Sequence, residues 1–345
     1  MRAARLVAFG DTPRFELHDV PDPLPGPGEV VVDVYAAALN RRDPWVWRTA
    51  DYCPLPVTLG SDGAGRLSSV GSDVDGPAVG DAVVINPTLG WGDAEDLPGE
   101  AFDILGAPLD GTFAERVLVP AANVAAKPAG WSYDEAAALN LGGLTAWRAA
   151  VTCAGAAPGR SLLVTGAGGG VGSFVVQIAA ALGASVYVTS SSQDKIDRSV
   201  ALGAAGGFRY DDPDWTEQLR AATGGGVDAV VDSYAGDSWD RLLTALRPGG
   251  RLVTFGDTGG DEATIDVMQV YWHWRSIQGT TMGSPREYRA LLDHVASARW
   301  RPVIDRVYPL EEIAAAAVRL DAPDRYGKVV LRVRPDADRG DDHER

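Results

Sequence analysis

Residues 162–179 of this chain of 345 residues read LLVTGAGGGVGSFVVQIA and carry its strongest structural signal. An apolar run leads into a cluster of glycines, and a second apolar run follows the glycines. The spacing Gly166-x-x-Gly169-x-x-Gly172 is a variant of the dinucleotide-binding fingerprint. Glycines at these positions allow a sharp turn, close approach of a pyrophosphate, and tight packing of a helix on a strand.

The elements around the glycines make the signal specific. The pattern predicts a buried strand over Ser161–Thr165, a helix over Val171–Leu182 and the next strand over Ser185–Thr189. The start of that helix offers unpaired N–H groups and the positive end of its dipole to phosphates. The residues predicted to bind the pyrophosphate are Gly166, Gly168, Gly169, Gly170, Val171 and Gly172.

Strands and helices continue to alternate after this point. The pattern predicts helices over Asp194–Leu202 and Asp237–Leu246, and buried strands over Val227–Asp232 and Arg251–Phe255. Such alternation is typical of an α/β fold with a doubly wound parallel sheet.

The first 125 residues have a different character. Short apolar runs separated by Gly/Pro turn signals predict mostly β structure; they are Leu6–Phe9, Val30–Ala38, Ala82–Ile85 and Phe113–Val119. The segment Pro87–Asp110 is rich in Gly, Pro and acidic residues, so we expect a long surface loop or lobe there. The capping box Ser132-x-x-Glu135 predicts the start of a long helix.

Composition excludes several classes of function. The 31 basic and 47 acidic residues give a net charge of −16, so the chain should repel nucleic acid and anionic membranes. No apolar run reaches the roughly 18–20 residues of a membrane span, and the N-terminus lacks a secretory signal. We therefore expect a cytoplasmic protein with a small-molecule substrate. Cys53 and Cys153 are too few for a disulfide framework.

The end of the strand after the glycine turn bears on cofactor choice. NAD-specific sites usually have a carboxylate there, which binds the ribose 2′-hydroxyl. This strand ends instead in Ser190, Ser191 and Ser192, with Lys195 close behind, and hydroxyls with a positive charge suit a 2′-phosphate. The pattern favours NADPH over NADH, whereas a solvated serine-rich turn would leave the choice open. Asp194 is the expected N-cap of the next helix.

Eight motifs follow one another along nearly the whole chain. They are AALNRRD (37–43), LGSDGAG (59–65), VGDAV (79–83), GTFAE (111–115), AAAL (136–139), GLTAW (143–147), RPVID (301–305) and GKVVL (327–331). In this order they resemble the medium-chain dehydrogenase/reductase superfamily, and specifically its zinc-free quinone-oxidoreductase-like branch.

The resemblance implies a GroES-like β-rich catalytic domain and a Rossmann domain. The expected boundaries are 1–125 for the catalytic domain, 126–268 for the NADP-binding domain, 269–333 for a segment that finishes the Rossmann sheet and returns to the first domain, and 334–345 for a flexible tail. It also implies a homodimer or homotetramer.

The resemblance further implies roles for individual residues. Asn40 and Asp43 are expected beside the substrate, and Thr145 beside the nicotinamide. Ser190, Ser191 and Lys195 would hold the 2′-phosphate. The other residues expected to bind the cofactor are Tyr210, Asp232, Ser233, Phe255, Gly256, Thr281, Met282 and Lys328. Lys328 could equally be a surface charge.

Zinc is not expected. The zinc-dependent members have a cysteine in the early loop, where this chain has Asn40 and Arg41, and a His-Glu pair in the motif that here contains Ser61. None of the four histidines lies in that motif, and Pro87–Asp110 contains no cysteine. A catalytic zinc needs about three suitable ligands and a structural zinc needs four, so we expect no metal.

The expected function is zinc-independent, NADPH-dependent hydride transfer to a quinone, an enone or another small carbonyl compound. Two alternatives are an alcohol dehydrogenase acting on a small alcohol or aldehyde, and a non-catalytic NADPH-binding protein. Tyr52 is a possible proton donor, although a packed aromatic role is the commoner one. Several tryptophans would form either an aromatic pocket or part of the core; they are Trp45, Trp47, Trp91, Trp272 and Trp274.

Overall fold

The computed structural model describes residues 1–335, which divide into two compact units. Unit 1 is Met1–Leu141 together with the chain from Ser284 on, and unit 2 is Gly142–Gly283. The first division therefore comes 16 residues later than the expected end of the catalytic domain at residue 125. Residues up to Leu141 belong to unit 1 because the Asn140 side chain and the Leu141 N–H donate hydrogen bonds to Gly63 and Asp62 of that unit.

The chain before residue 142 is mainly β structure. Its elements are β1 (Arg2–Ala8), β2 (Arg14–Asp19), β3 (Glu29–Ala38), α1 (Arg42–Arg48), β4 (Val57–Thr58), β5 (Asp62–Val70), β6 (Ala82–Ile85), β7 (Thr88–Leu89), β8 (Asp103–Ile104), β9 (Arg116–Pro120), β10 (Val124–Ala126) and α2 (Tyr133–Trp147), which crosses into unit 2. The capping box of Ser132 and Glu135 is present at the start of α2.

The rest of the chain alternates helix and strand before it returns to unit 1. A π-helix (Arg148–Cys153) follows α2. The later elements are β11 (Ser161–Val164), α3 (Gly170–Ala181), β12 (Ser185–Ser190), α4 (Gln193–Ala201), β13 (Gly206–Arg209), α5 (Trp215–Thr223), β14 (Val227–Asp232), α6 (Trp239–Ala245), β15 (Leu246–Thr254), α7 (Val267–Tyr271), β16 (Ser276–Gly279), α8 (Pro285–Ser297), β17 (Ile304–Pro309), α9 (Ile313–Asp321) and β18 (Lys328–Arg332). No helix within residues 1–335 has the length and apolar character needed to cross a lipid bilayer.

In unit 1 the largest sheet is organised around β3. This β-branched strand pairs antiparallel with β5, β9 and β18, and β18 pairs parallel with β17. The C-terminal return thus places β18 directly beside β3, with Val330 opposite Ala38. Strands β1, β2 and β4 form a separate three-stranded sheet. α9 contributes its buried face to an apolar core of this unit.

In unit 2 six parallel strands form one sheet in the order β13-β12-β11-β14-β15-β16. The predicted α/β fold with a GroES-like unit and a doubly wound parallel sheet is confirmed. The strand order reverses between β11 and β14, which is the switch point at which such sheets bind ligands. β11 and β14 are almost entirely buried because helices cover both faces of the sheet.

Three local predictions differ from the structure. The N-cap of α4 is Ser192, whose hydroxyl accepts from the Lys195 N–H, so Asp194 is not the cap. Residues 236–238 form a separate 3-10 turn ahead of α6, and β15 begins at Leu246 with an irregular register before Arg251. Of the two alternatives for residues 87–110, the structure has the lobe, because β7 and β8 pair there and Trp91 is buried.

The expected tail begins later than residue 334. Arg334 still donates hydrogen bonds to the Asp33 carboxylate and to the Glu115 carbonyl. The rest of the predicted tail, residues 336–345, lies outside the described residues.

Candidate cofactor site and buried polar cluster

The glycine turn connects the end of β11 to the start of α3. Gly166 has a φ of +59°, which is in the left-handed region, and a Cβ there would lie 2.7 Å from Ser233 Oγ. A Cβ on Gly172 would lie 2.5 Å from the Gly166 carbonyl oxygen. Both positions therefore require glycine.

The start of α3 faces this turn without a side-chain cap. Its N-cap is Gly169, which has no side chain, so the first N–H groups of the helix are left for a ligand. Gly166 is exposed and Gly169, Gly170 and Val171 are half-buried, whereas Gly168 and Gly172 are buried. The turn thus has the geometry of an anion site in which backbone N–H groups are the donors.

The switch point beside the turn is held together by Asp232. Its carboxylate accepts from Thr165 Oγ1 at 2.5 Å, from Trp239 Nε1 at 3.0 Å and from the N–H groups of Tyr234 and Ala235. Asp232 is fully buried. We predicted that Asp232 binds the cofactor, but the structure uses its carboxylate to fix the loop after β14.

The residues predicted for the 2′-phosphate lie between the end of β12 and the first turn of α4. Ser190 is buried at the end of β12 and its hydroxyl accepts from the Ser192 N–H. Ser191 is exposed, and Lys195 is half-buried in the first turn of α4. Because Ser192 caps α4, it holds the segment from 190 to 195 in one conformation.

Sequence reasoning missed Arg209, a second cation at this edge of the sheet. Arg209 ends β13 and is directly opposite Ser190 in the parallel register. Its guanidinium binds Asp211 through contacts of 2.9 and 2.5 Å and stays about half exposed. A surface groove is lined by Arg209, Asp211 and Gln193, the first residue of α4. The sequence pattern predicts no strand over β13, so Arg209 had no expected strand end to mark it.

The other predicted cofactor residues follow the carboxyl ends of the same parallel strands. Tyr210 is exposed, and its N–H donates to the Ser190 carbonyl at 3.2 Å. The remaining predicted residues of unit 2 lie after β14, β15 and β16 or on α2; they are Ser233, Phe255, Gly256, Thr281, Met282 and Thr145. Carboxyl ends of parallel strands share one edge, so all the post-strand residues flank the edge that carries the glycine turn.

Unit 1 contains a buried polar cluster that includes two predicted catalytic residues. Lys328 Nζ donates to Asn40 Oδ1 at 2.5 Å and to Asp62 Oδ2 at 2.8 Å. Asn40 Nδ2 donates in turn to Asp62 Oδ2 at 2.9 Å. Lys328 is 2% exposed and Asp62 is 0% exposed. Lys328, predicted as a cofactor contact or a surface charge, is therefore a buried ion-pair residue of unit 1.

Asp43 lies at the edge of this cluster. Its Oδ2 accepts from the Asn40 N–H at 2.7 Å, whereas its Oδ1 is buried and has no partner within residues 1–335. Burial raises the pKa of Asp43 to about 6, and the charges of Arg42 and Lys328 oppose that rise. Asp43 is thus an acid that changes charge near neutral pH.

The cluster continues through α2 to α8. Asp62 Oδ1 accepts from the Leu141 N–H at 2.6 Å, and Tyr288 Oη donates to Asn140 Oδ1 at 2.7 Å. Burial and the Asp62 charge raise the pKa of Tyr288 well above its ordinary value. Sequence reasoning missed Asp62, Asn140 and Tyr288 because no local motif connects them.

The donors in this region do not match a zinc site. Ser61, at the position of the histidine of zinc-dependent relatives, is buried and its hydroxyl donates to the Leu105 carbonyl at 2.6 Å. Asn40 already bonds to Lys328 and Asp62. Across residues 1–335, no three His, Cys, Asp or Glu side chains are grouped so that they could hold a metal ion.

The aromatic residues have separate roles. Trp47 and Trp91 are buried, and pack edge-on against Phe15 and Phe102 respectively. Trp45 is half exposed and contacts Tyr52, whose hydroxyl accepts weakly from Arg42 at 3.5 Å. In unit 2, Trp272 and Trp274 are strongly exposed, and Trp274 is 80% exposed.

Comparison with known proteins agrees with this architecture. The family described as the alcohol dehydrogenase GroES-like domain matches residues 26–129, and the family described as zinc-binding dehydrogenase matches residues 170–297. The zinc-type alcohol dehydrogenase-like protein YogA of Leptosphaeria maculans is 32% identical over 340 residues, covering 92% of this chain and 94% of that protein. The chain belongs to the medium-chain dehydrogenase/reductase superfamily. The predicted family is confirmed.

Other relatives of this medium-chain dehydrogenase/reductase have different named activities. A crystal structure of an NAD-dependent alcohol dehydrogenase is 41% identical, has a TM-score of 0.92, and covers 96% of this chain and 100% of that chain. The human quinone oxidoreductase is 28% identical over 327 residues, covering 92% of each protein. The family makes this protein an oxidoreductase that uses a nicotinamide cofactor.

Proposed function

We propose that this protein is an NADPH-dependent reductase that transfers a hydride to a quinone, an enone or another small carbonyl compound without zinc. The observation that carries the proposal is the edge of the unit 2 sheet. A glycine turn of the kind that binds pyrophosphate lies there beside the end of β12. That end has serine hydroxyls, and Lys195 of α4 and Arg209 of β13 add positive charge next to it. NADPH, when bound, would supply the hydride.

The residues for the 2′-phosphate are Ser191, Lys195 and Arg209. A phosphate needs hydrogen-bond donors and positive charge, and a guanidinium can bind it through two N–H groups. Arg209 ends β13 directly opposite Ser190, so this charged residue is beside the end of β12, the strand that should contact the ribose. Asp211 currently pairs with Arg209, and the phosphate would compete with it.

The cofactor assignment is tested by Arg209→Gln. The dissociation constant for NADPH should rise about tenfold or more, and that for NADH should hardly change, because only NADPH has the 2′-phosphate. Titration calorimetry with both nucleotides measures this. Arg198→Gln, which removes one exposed arginine further along α4, is the matched control. Equal losses for the two nucleotides would remove Arg209 from the phosphate site.

A second variant should have the opposite effect on the affinity for NADPH. Asp211→Asn keeps the shape of the side chain but removes the carboxylate that pairs with Arg209. NADPH should therefore bind several-fold more tightly, whereas NADH should bind as before. A weaker binding of NADPH would mean that Asp211 positions Arg209 for the phosphate.

Zinc independence is part of the proposal. It is supported by the donors described above, because Asn40 and Ser61 are engaged by other side chains and carbonyls. Without a metal, the negative charge that develops on a substrate oxygen must be stabilised by hydrogen-bond donors, and positioning of the reactants has to contribute much of the rate. Quinones and enones suit such a site because their conjugation spreads the incoming negative charge. Turnover should be unaffected by EDTA.

An alcohol dehydrogenase is the second candidate, favoured by the 41% identity to an NAD-dependent alcohol dehydrogenase. The experiment is a substrate panel followed by NAD(P)H absorbance: a quinone, an enone and an aldehyde for reduction, and a primary and a secondary alcohol for oxidation. Faster turnover of the quinone or enone with NADPH supports the proposal. Faster NAD-dependent alcohol oxidation supports the alternative, and nucleotide binding with no turnover supports a non-catalytic binding protein.

A further inference from the structure

The polar cluster of unit 1 contains oxygen atoms of the kind that bind cations. It contains the carboxylates of Asp43 and Asp62 and the amide oxygen of Asn40, and these three residues are almost completely buried. Carboxylate and amide oxygens are the ligands that hard divalent cations prefer. In this chain the oxygens of Asn40 and Asp62 are directed at the Nζ of Lys328, at 2.5 and 2.8 Å.

The positive charge of Lys328 is needed beside Asp62. Asp62 is fully buried, and a buried carboxylate is costly unless it is paired and hydrogen-bonded. Lys328 supplies the pairing charge, while Asn40 Nδ2 and the Leu141 N–H supply further hydrogen bonds. Removing the ammonium would leave Asp62 buried without a counter-charge.

The choice of lysine is itself informative. Only three of the 31 basic residues of the chain are lysines, and one of these three occupies this buried position. An ammonium is a compact point charge, whereas a guanidinium is a broad planar group. A point charge that contacts oxygens from two separate segments of the chain takes up the same space as a small bound cation.

We propose that the ammonium of Lys328 is a built-in replacement for a divalent cation in this cluster. It neutralises Asp62, keeps the Asn40 loop in place, and occupies the space in which a metal ion would otherwise be bound. The wild-type cluster therefore has no vacancy for a metal, and removal of the ammonium would create one between the oxygens of Asn40 and Asp62.

The test uses the full chain with Lys328→Met, which keeps an apolar stem of similar length but removes the charge. The thermal unfolding midpoint is measured in EDTA and in increasing Mg²⁺ or Mn²⁺. The midpoint of the variant should be lower than that of the wild type in EDTA and should rise saturably with the cation, by roughly 3 °C or more. The midpoint of the wild type should be the same in EDTA and in metal.

A double variant separates this idea from a general loss of packing. Lys328→Met with Asp62→Asn has no uncompensated carboxylate, so its midpoint in EDTA should recover much of the loss and should not respond to metal. It also keeps the test decisive if the single variant folds only when metal is present. Lys127→Met, which removes a lysine elsewhere in unit 1, should show no response to metal.

Two results would overturn the proposal. The first is a wild-type midpoint that rises with Mg²⁺ or Mn²⁺ in a way that Asp62→Asn abolishes, because the metal would then bind beside the ammonium. The second is a Lys328→Met variant whose unfolding midpoint does not respond to metal and is not restored when Asp62→Asn is added. Neither result depends on whether the enzyme reduces a quinone or an enone, so the reductase proposal is tested separately.

Discussion

The glycine turn of unit 2 and the polar cluster of unit 1 are built in opposite ways. The turn is one continuous segment, residues 166–172, and offers backbone N–H groups. The cluster joins Asn40, Asp62 and Lys328, which are separated by 22, 266 and 288 positions in pairs, and it works through side chains. A site built from backbone leaves a pattern in local sequence, whereas a site built from distant side chains leaves none.

The largest expected effect is at the turn. In Gly172→Val the new Cβ would lie 2.5 Å from the Gly166 carbonyl oxygen and 2.9 Å from Ala167 Cα, so the turn must open. Because the turn is expected to hold the pyrophosphate, affinity for NADPH and NADH should both fall about 100-fold or more. Titration calorimetry with each nucleotide measures the loss.

The matched control for that variant is Gly206→Ala. It adds a methyl group in the edge strand β13 of the same sheet, where the nearest atom would be 3.7 Å away. Its nucleotide affinity should stay within about twofold of the wild type. If Gly172→Val bound both nucleotides normally, the turn would not be the pyrophosphate site, and the contrast between the two regions would lose its functional basis.

A smaller effect is expected from Asp43, through the pH dependence of stability. Burial raises its pKa from 3.8 to about 6 in the folded protein, so the folded state binds this proton more tightly than the unfolded chain. The contribution of Asp43 to stability is therefore complete below about pH 4 and is lost as the pH rises through 6, on the order of 3 kcal/mol in all.

The test compares urea unfolding of the wild type and Asp43→Asn between pH 4 and pH 7. The variant cannot lose a proton at this position, so its stability should fall less over this range than that of the wild type. Asp75→Asn, which removes an exposed carboxyl group of unit 1, serves as the control and should follow the wild-type curve. Parallel curves for wild type and Asp43→Asn would show that Asp43 does not titrate in this range.

The smallest effect is expected at the far end of the cluster. Tyr288→Phe removes the hydroxyl that donates to Asn140 Oδ1 at 2.7 Å and leaves the buried amide oxygen without this donor. The free energy of unfolding should fall by about 1–2 kcal/mol. Tyr271→Phe, at an exposed position on α7, should cost almost nothing. If the two variants were equally stable, the hydrogen bond from α8 to α2 would contribute nothing measurable.

The sequence predicts the bounds of strands and helices better than it predicts which residue caps a helix. The strand Ser161–Thr165 and the helix Val171–Leu182 were predicted within one or two residues of β11 and α3, because both have continuous apolar faces and a glycine boundary. Asp194 was a wrong choice of cap because Ser192, two residues earlier, is equally suitable by type. Only the backbone geometry decides between two such neighbouring cap residues.

Residue roles were harder to predict than elements. Asp232 was placed correctly at a strand end, but its carboxylate is used by Thr165, Trp239 and two backbone N–H groups. Lys328 was assigned by motif to the cofactor, yet it is buried against Asn40 and Asp62. In both cases the sequence identified the position but not the partners. Those of Lys328 come from distant segments, whereas Asp232 binds Thr165 and three groups in the residues that directly follow it.

The sequence by itself determined the family, the two kinds of unit and the position of the glycine turn, because hydrophobic period and glycine spacing act over a few neighbouring residues. Tertiary structure alone decided that Arg209 lies opposite Ser190, that one buried oxygen of Asp43 has no partner within residues 1–335, and that Lys328 neutralises Asp62. Those facts depend on strand register and on the return of β18 to β3, which bring together residues far apart in the chain.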